Sequence, residues 1–369
     1  MHVFKKADKL GIYLPISKSE NADIDAAEAA QSTSSSQRHK RIRLLGILFL
    51  IVGSVLAVNL FLFLKRGDSG CRNPSKRREW RTLQPEEQET YINAVLCLMY
   101  KDSKHDRGSS RYDDLAYAHV LESSGTHDAA AFLPWHRYFL HIYETTLREE
   151  CGYHGGLVYW DWTLDADNLE ASPIWDNVLG FGSNGEATGV ELYKGHCVRD
   201  GPFGNTTRVW QSKPNGHGYD AWNHPHCLSR GFQSGATKEK LQNLVKPEKV
   251  NTILKHNTYR DFFMQLEKNS HDAIPQFIRG DFIIFTAPND PVFYLHHTQL
   301  DRLWWTWQER NPASRMSDFQ GPKENTKFSE AAINSTSSLE DWMKFGDFGK
   351  PLKVKQVMST KSKDLCYEY

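Results

Sequence analysis

Two stretches decide the fold of this chain: His127-Asp-Ala-Ala-Ala-Phe-Leu-Pro-Trp-His136-Arg-Tyr-Phe, and Asp290-Pro-Val-Phe-Tyr-Leu-His296-His297-Thr-Gln-Leu-Asp301-Arg-Leu-Trp-Trp. In each stretch the histidines lie among aromatic and apolar residues, which is typical of a buried metal site rather than of a solvated surface. Imidazole nitrogen suits copper, zinc, iron and nickel. Two separate histidine clusters therefore predict two metal ions that share one substrate.

The first cluster includes a third histidine, His119, which lies eight residues before His127, and His136 follows nine residues after His127. Residues at these spacings do not share one helix face, so at least one ligand must come from a loop. Gly125 supports a helix, loop and helix arrangement in which His136 lies just after the start of the second helix at Pro134. A single buried histidine is usually structural, but three among aromatic residues favour a metal site.

In the second cluster, His297 lies on a predicted helix, and Asp301 follows one turn later on the same face. A carboxylate in that position is able to accept the other ring N–H of a ligating histidine and so fix its tautomer. His296 points about 100° away from His297 around the helix. This direction predicts a supporting role beside the site for His296 rather than a role as metal ligand.

The hydrophobic pattern predicts a mainly α domain with a four-helix-bundle core and long loops. Proline in the first turn is typical of a helix start, and apolar residues three or four positions apart indicate a buried face. These signals predict helices from Pro85, from Tyr112 to Glu122, from Pro134 to Cys151, from Pro247 through Phe262, and from Pro291 through Trp304. Residues 152–235 are predicted to form a long excursion between the helix pairs. Four helices around a metal site are a common bundle arrangement.

The N-terminal part of the chain has a different character. Residues 44–64 are apolar apart from Ser54 and Asn59, and a helix of this length at about 1.5 Å per residue spans the roughly 30 Å hydrocarbon layer. We therefore predict one transmembrane helix at 44–64. A disordered cytosolic tail at 1–43 precedes it, and a stalk at 65–80 and the histidine-bearing domain at 81–369 follow it. A cleaved signal peptide is the alternative, but its apolar region would be shorter and nearer the N-terminus.

The part after residue 64 predicts on which side of the membrane the domain lies. Basic residues flank both ends of the apolar segment, so their distribution does not orient it. All six cysteines follow the segment, an even number consistent with disulfides in an oxidising compartment, although the sequence does not determine their pairing. The sequons at Asn205 and Asn334 predict glycosylation in the same part. The domain is therefore predicted to be lumenal or extracellular, with the N-terminus in the cytosol.

Composition excludes one class of partner. The formal net charge of the 369 residues is zero, which gives no sign of the basic surface that a nucleic-acid partner requires.

At this point the sequence resembles a known family, the tyrosinases and catechol oxidases, which are type-3 copper proteins. The two histidine stretches are similar to the two copper-binding signatures of that family. Further motifs similar to its fungal branch lie between residues 71 and 310: Tyr112-Asp-Asp, Glu149-Glu-Cys-Gly-Tyr, Tyr159-Trp-Asp-Trp, Ser172-Pro-Ile-Trp, Asp200-Gly-Pro-Phe and His226-Cys-Leu-Ser-Arg. The resemblance implies a dicopper site in which each copper is held by three histidines and O2 binds at the pair.

The resemblance also implies which residues hold the two copper ions. Carried across residue by residue, the first copper would be held by His119, His127 and His136, and the second by His271 and His297. His105 is a rival for the first of these positions, but the Tyr-Asp-Asp motif that precedes His119 favours His119. The implied activity is hydroxylation of a phenol, oxidation of a catechol, or both.

The sequence departs from the family pattern at Pro275. The family has two histidines four residues apart on one helix, whereas this chain has His271-Asp-Ala-Ile-Pro275. Proline offers no ligand and cannot bond back to the carbonyl of His271, so the helix is predicted to kink or end there. The residue after His271 is often Asn in the family, where it helps to handle the substrate proton, but here it is Asp272. The candidates for a substitute ligand are Asp272, Gln276, Asp281, His224 and His226.

Three functions are compatible with this pattern. The first is an active two-copper oxidase that uses O2 on a phenolic small molecule or a tyrosine-bearing peptide, in a secondary-metabolite pathway. The second is a membrane-held scaffold that has lost the chemistry, and the third is a single-copper enzyme with altered chemistry. We favour the first function because five of the six expected ligands and the aromatic residues around them are present.

Overall fold

The computed structural model describes residues 43–54, 71–105, 107–187, 191–325, 327 and 335–369, and the chain divides into two compact units, Met1–Ser69 and Gly70–Tyr369. In the first unit, residues 43–54 are helical. The predicted tail at 1–43, apart from its last residue, and residues 55–64 of the predicted transmembrane segment lie outside the described residues. Within the described part of the chain, no helix combines the length and the apolar character that a membrane crossing requires.

The second unit is predominantly helical, as the sequence predicts. Its α-helices in chain order are α1 (Pro85–Tyr100), α2 (Arg111–Leu121), α3 (Ser123–Thr126), α4 (Phe132–Cys151), α5 (Gly235–Val245), α6 (Pro247–Ile253), α7 (Tyr259–Gln265), α8 (Asp272–Ile278), α9 (Val292–Glu309) and α10 (Pro312–Arg315).

Local signals account for several of these boundaries. Ser110 caps α2 because its hydroxyl accepts from the N–H of Asp113, whose side chain accepts from the N–H of Ser110 in return. Gly152 ends α4 with a left-handed φ of 68°, a conformation that glycine adopts without a steric penalty. The single helix predicted from Pro247 through Phe262 is wrong, since α6 and α7 are separate. Thr258 starts α7 afresh by accepting from the N–H of Asp261.

The helices that carry the histidines pack around one core. Helix α4 packs against α9 and against α1, which also contacts α2. Tyr143 of α4 stacks on Tyr294 of α9 with the ring centroids 3.6 Å apart. A π-helical turn, Leu266–His271, joins α7 to α8 without a break. Four helical segments, namely α2, α4, the π-helical turn and α9, therefore present histidine side chains to this core, and His127 follows the short helix α3.

Short strands connect the helices. They are β1 (Ser75–Lys76), β2 (Arg78–Glu79), β3 (Val158–Tyr159), β4 (His196–Cys197), β5 (Thr207–Pro214), β6 (Tyr219–Cys227), β7 (Ser229–Arg230), β8 (Trp342–Met343), β9 (Leu352–Lys353) and β10 (Tyr367–Glu368). The pairs β1–β10 and β2–β3 are parallel, and β4–β7, β5–β6 and β8–β9 are antiparallel. The β5–β6 hairpin is the main regular structure within the predicted excursion at 152–235.

Short 3-10 helices complete the connections. They are Trp80–Thr82, Trp162–Asp165, Leu169–Ala171, Pro173–Trp175, Gly280–Ile283, Ala287–Asn289, Gly346–Phe348 and Val354–Gln356.

The prediction of a stalk at 65–80 is wrong for residues 71–80, which belong to the folded domain. Their two short strands pair with β10 and β3, and the Arg77 and Trp80 side chains are buried. The basic character of the segment suggested solvent exposure, but the Arg77 guanidinium forms ion pairs with the buried carboxylates of Glu144 and Asp301, each at 3.0 Å. Residues 65–70 lie outside the described residues.

The predicted disulfides are confirmed, and the structure pairs Cys71 with Cys366, Cys97 with Cys151, and Cys197 with Cys227. The first of these ties the beginning of the domain to its C-terminal end. Disulfides of this kind typically stabilise a fold by about 2–4 kcal/mol because they restrict the unfolded chain.

The two predicted glycosylation sites differ in their status. Asn205 is exposed, as a glycan acceptor must be, and its glycosylation stays a prediction. Asn334 lies outside the described residues.

Candidate metal centre

The structure brings His119, His127 and His136 together into a first group. His119 lies in the last turn of α2, His127 directly after the short helix α3, and His136 in the first turns of α4. One ring nitrogen of each residue lies within 4.8 Å of those of the other two. As the spacing predicts, one member of this group comes from a loop.

Hydrogen bonds fix the tautomers of His119 and His136. The Nδ1 of His119 lies 2.7 Å from the backbone oxygen of Phe285, and the Nδ1 of His136 lies 2.7 Å from that of Phe132. A carbonyl oxygen only accepts, so in both rings Nδ1 carries the proton and donates it. Both Nε2 atoms are then unprotonated, and they face each other at 3.2 Å. Two lone pairs at that distance repel unless a cation lies between them.

A proton is not that cation at neutral pH. Burial lowers the pKa of His119 to about 4, although the hydrogen bond to Phe285 opposes this effect. Burial, together with the neighbouring His119, holds the pKa of His136 well below its usual range. The first group is therefore an all-nitrogen donor set that fits a metal ion of the kind imidazole prefers.

The loop that carries His127 is fastened to the helix that carries the second group. The hydroxyl of Thr126 lies 3.1 Å from Nδ1 of His127. The next residue, Asp128, has a positive φ of 55°, and its N–H donates to Oε1 of Glu267 at 2.8 Å. The carboxylate of Asp128 also forms an ion pair with Lys268. Because Glu267 and Lys268 lie in the π-helical turn that ends at His271, these contacts fix the position of the His127 loop relative to His271.

The second group consists of His271, His296 and His297, which are all buried, with one ring nitrogen of each within 4.8 Å of the others. The Nδ1 of His271 donates to Oδ1 of Asp272 at 3.0 Å, which leaves its Nε2 with a free lone pair. The Nδ1 of His297 and both ring nitrogens of His296 have no hydrogen-bond partner among the described residues. Buried polar atoms are normally paired, so this group also fits a metal ion.

The two groups adjoin each other. The rings of His136 and His297 stack with centroids 4.2 Å apart, and those of His127 and His271 are 6.1 Å apart. Metal ions held by the two groups would therefore be neighbours, as the sequence pattern predicts.

The supporting roles that the sequence predicts for His296 and Asp301 require correction. His296 does not lie beside the second group but belongs to it. Asp301 does not contact His297: its carboxylate accepts from the guanidinium groups of Arg77 and Arg137 and from the hydroxyls of two tyrosines, Tyr367 and Tyr369. Two buried cations outweigh a neutral imidazole as partners of a buried carboxylate.

The helix does not end at Pro275, which corrects that part of the prediction. The irregularity comes earlier, as the π-helical turn Leu266–His271, and α8 runs through Pro275 to Ile278. Pro275 lies inside this continuous helical segment, where proline removes one main-chain donor, and the π-helical turn directly before α8 is the irregularity that accompanies it. The proline ring lines the cavity beside His271 and His297.

The structure also locates the candidates for a substitute ligand. The side chains of Asp281 and His226 bond to each other at 2.8 Å, and the remaining oxygen of Asp281 accepts from Ser229. Asp272 is bonded to His271, and Gln276 lines the cavity. The His224 ring lies against Trp222. His105, the rival of His119, lies against Phe348. None of these six residues belongs to either histidine group within the described part of the chain.

A cavity of about 230 Å³ opens onto both groups. Histidines from both groups line it together with aromatic and carboxylate side chains: His119, His127, His271, His297, Phe282, Phe285, Phe293, Asp128, Glu267 and Asp272. A second cavity of about 750 Å³ shares Asp128, Glu267 and Lys268 with the first and extends past Arg260 to Lys327. The inner cavity accommodates an aromatic ring, and the outer one has room for a larger molecule attached to it.

The sequence reasoning missed two carboxyl groups in this wall. Glu267 is buried, and burial together with the charge of Asp128 raises the pKa of its carboxyl well above its usual range. Glu267 lies four residues before His271 on one helical segment, and Asp128 directly follows His127. These two spacings relative to the candidate histidines are the sequence signal that could have identified both carboxyl groups.

Comparisons with known proteins agree with this geometry. The family model described as the common central domain of tyrosinase matches residues 109–310. Tyrosinase-like protein phomQ1 of Diaporthe leptostromiformis is 47% identical over 360 residues, which cover 93% of this chain and 92% of that protein. Tyrosinase ustQ of Aspergillus flavus is 40% identical over 303 residues, which cover 81% of this chain and 80% of that protein.

The fold agrees as well. A solved structure of a polyphenol oxidase from Thermothelomyces thermophila superimposes with a TM-score of 0.65 at 28% sequence identity, and the match covers 80% of this chain and 88% of that one. Both histidine groups lie within the family-matched region, since His119 to His297 fall between residues 109 and 310. The chain therefore belongs to the tyrosinase family of oxidoreductase enzymes.

Proposed function

We propose that the protein is a copper-dependent oxidase that uses O2 to oxidise a phenol or catechol. One observation carries the proposal: the unprotonated Nε2 atoms of His119 and His136 face each other at 3.2 Å in a buried site, which requires a cation there. Of the metals that imidazole suits, the family membership favours copper. Two catechols would each lose two electrons and two protons to become quinones, while one O2 would be reduced to two water molecules.

The metal site of this proposal consists of the two histidine groups. His119, His127 and His136 would hold one copper ion, and His271 and His297 would contribute to a second. Bound copper supplies the capacity to accept electrons one at a time and to react with O2. The protein residues position these ions and keep bulk water out, since the six histidines are buried or half-buried among aromatic side chains.

The cavity residues would bind and orient the substrate ring. Phe282, Phe285 and Phe293 form apolar walls on which a phenol ring packs. The carboxylate of Asp272 faces the same cavity, and its pKa is lowered: burial raises it, but the hydrogen bond and charge of His271 outweigh that effect. An ionised carboxylate in this position is able to accept the proton of a substrate hydroxyl.

The size of the two cavities supports a substrate larger than a simple phenol. The inner cavity holds about 230 Å³, and the outer one, which shares three of its residues, holds about 750 Å³. We infer that the reacting ring belongs to a larger metabolite or to a tyrosine-bearing peptide. Similarity to fungal tyrosinase-like proteins supports a place in secondary metabolism.

Pro275 favours a second candidate function. Where the family has a histidine, this ring lines the cavity and offers no donor. A protein that bound copper only at the first group would be a single-copper enzyme with altered chemistry, and one that bound none would be a scaffold.

The location of the protein is part of the proposal. We propose a single-pass membrane anchor at 44–64, a cytosolic N-terminus and a glycosylated domain in the lumen or outside the cell. Three disulfides and the exposed sequon at Asn205 support an oxidising compartment. Protease protection of membrane vesicles tests the topology: the domain should be protected inside sealed vesicles, and its digestion there would contradict the proposed orientation.

The experiment that tests the function combines copper content with oxygen consumption. The full chain, purified in detergent and loaded with copper, should hold two copper ions and consume O2 with a catechol, and a copper chelator should remove both properties. One copper per chain with altered oxidation products would favour the single-copper enzyme. A protein that holds no copper after reconstitution and consumes no O2 would contradict the proposal and favour a scaffold.

A further inference from the structure

The position of Pro275 raises the question of which residue completes the second metal site. Proline carries no side-chain donor, and its ring lines the cavity between His271 and His297. Asp281 and His226 are bonded to each other, and Asp272 accepts a hydrogen bond from His271. These three substitutes are therefore engaged elsewhere, and the other two, Gln276 and His224, belong to neither histidine group within the described part of the chain.

His296 differs from these residues because its buried ring has no partner. It is fully buried, and neither ring nitrogen has a hydrogen-bond partner among the described residues. Leaving a buried donor or acceptor unsatisfied costs about 1–3 kcal/mol. Its aromatic neighbours are Phe282 and Trp162, with centroids at 5.9 Å and 6.5 Å, and the Nε1 of Trp162 is itself unpaired. A buried imidazole in this state requires an explanation.

The geometry supplies that explanation. A ring nitrogen of His296 lies within 4.8 Å of donor nitrogens of both His271 and His297. The ring of His296 is nearly parallel to that of His271, with centroids 5.4 Å apart, and is 5.2 Å from that of His297.

We propose that His296 is the third protein ligand of the second metal ion and replaces the donor that Pro275 cannot supply. The inference rests on the proposed copper function. Pro275, His271 and His297 line the cavity, whereas His296 does not, so His296 would contribute its donor from the buried interior beside them.

The test measures copper binding rather than activity. In the copper-loaded full chain, His296→Leu should lower the copper content from two ions to one and weaken the second site by at least about 100-fold, since loss of a partner that only supports a ligand already costs about 10- to 100-fold. His297→Leu should have the same effect. The matched control is His141→Leu, a half-buried histidine of α4 outside both groups, which should keep two ions.

Two further measurements separate a ligand from a structural residue. Without metal, His296→Leu should unfold at the same or a higher temperature than the wild type, because the substitution removes two unpaired buried nitrogens. Pro275→His should restore the second copper ion in the His296→Leu background, because it returns a nitrogen donor one helical turn after His271.

The outcomes are distinct. If the wild type binds two copper ions and His296→Leu keeps both with unchanged affinity, the proposal is overturned although the copper function stands. If the wild type binds one ion that only His136→Leu removes, the second site does not exist and the proposal is overturned, but a single-copper enzyme remains. If the wild type binds none, the proposed function fails together with this inference.

Discussion

The two histidine groups differ in how firmly the protein orients their rings. In the first group, His119 and His136 donate to backbone carbonyls, and His127 lies against the hydroxyl of Thr126. In the second group, only His271 has such a partner, Asp272, and three ring nitrogens of the other two histidines have none among the described residues. The first group is therefore shaped before a metal binds, whereas the second depends on the metal to satisfy its nitrogens.

This difference arises because the carboxylate nearest to the second group along α9 is bonded elsewhere. Asp301, one turn after His297, is bonded to Arg77 and Arg137 instead of to a histidine. It fastens α9 to the beginning of the domain and, through two tyrosine hydroxyls, to its C-terminal end. The carboxylate thus stabilises the fold and leaves the orientation of His297 to packing. The predictions below test this contrast.

The largest effect is expected at the first group. His136→Ala removes a preorganised donor, so we expect loss of one copper ion and a fall in catechol oxidation beyond the roughly 10- to 100-fold typical of losing a partner that only supports a ligand. Elemental analysis and oxygen consumption measure these effects. The control is His141→Ala on the same helix, which should leave both unchanged. Full activity in the His136→Ala protein would exclude the first group as the copper site.

The next effect concerns the fold rather than the metal. Asp301→Asn leaves the buried guanidinium of Arg137 without a counter-charge and that of Arg77 with Glu144 alone, which should lower the free energy of unfolding by about 3–5 kcal/mol. Chemical denaturation measures this change. Glu340→Gln is the control, because Glu340 is exposed and pairs with Lys353 and Lys355, and solvent screening should leave the free energy of unfolding almost unchanged. A lost copper ion without lost stability would mean that Asp301 acts through His297.

A smaller effect tests the preorganisation of the first group itself. Thr126→Val keeps the shape of a buried side chain but removes the hydroxyl next to His127, so copper affinity at the first site should fall about tenfold. Thr146→Val is a matched control, since the Thr146 hydroxyl bonds only within α4, to the carbonyl of Ile142. Copper titration compares the two variants. Equal affinity in both would show that packing alone positions His127.

The sequence predicted the first group better than the second for a physical reason. The first group depends on local features: His119 at the end of a helix, a loop, and His136 after a helix start at Pro134. The environment of the second group depends on distant contacts that no local pattern reveals. The partner of Asp301 is Arg77, 224 positions away in the chain, and the ring of His296 meets His271 only because α9 packs beside the π-helical turn. The angle between His296 and His297 on an ideal helix did not predict that both rings turn towards His271.

The same distinction between local and distant contacts explains which parts of the fold were predicted wrongly. Helix starts marked by proline are local, and most were predicted to within a few residues. The basic segment before Trp80 gave no local sign of burial, because Arg77 is stabilised by Glu144 and Asp301 from other parts of the chain. Likewise Pro275 suggested a broken helix, but the preceding π-helical turn allows α8 to begin just before it.

The smallest expected effect depends on pH and concerns the ion pair of His226 and Asp281, which lies outside both histidine groups. Burial lowers the pKa of His226, but the hydrogen bond and charge of Asp281 outweigh it and raise this pKa above its usual 6.5. A raised pKa means that the pair contributes its full stability below about pH 6.5 and loses it as the pH rises through the folded-state pKa. The loss should be about 1 kcal/mol, the difference between a hydrogen bond to a charged group and one to a neutral group.

The measurement is the free energy of unfolding of the metal-free wild type minus that of His226→Gln, from about pH 6 to about pH 9. His119, His296 and His297 have lowered pKa values, so their contribution to the free energy of unfolding increases as the pH rises towards about 6.5. That gain is common to both proteins and cancels in the difference. If this difference in the free energy of unfolding falls with rising pH, His226 stabilises the fold through its ion pair with Asp281. If instead the copper-loaded wild type becomes more stable than His226→Gln as the pH rises, deprotonated His226 binds metal. The second group would then have a fourth donor, His226, which is already oriented by its bond to Asp281, and the contrast with the preorganised first group would be smaller.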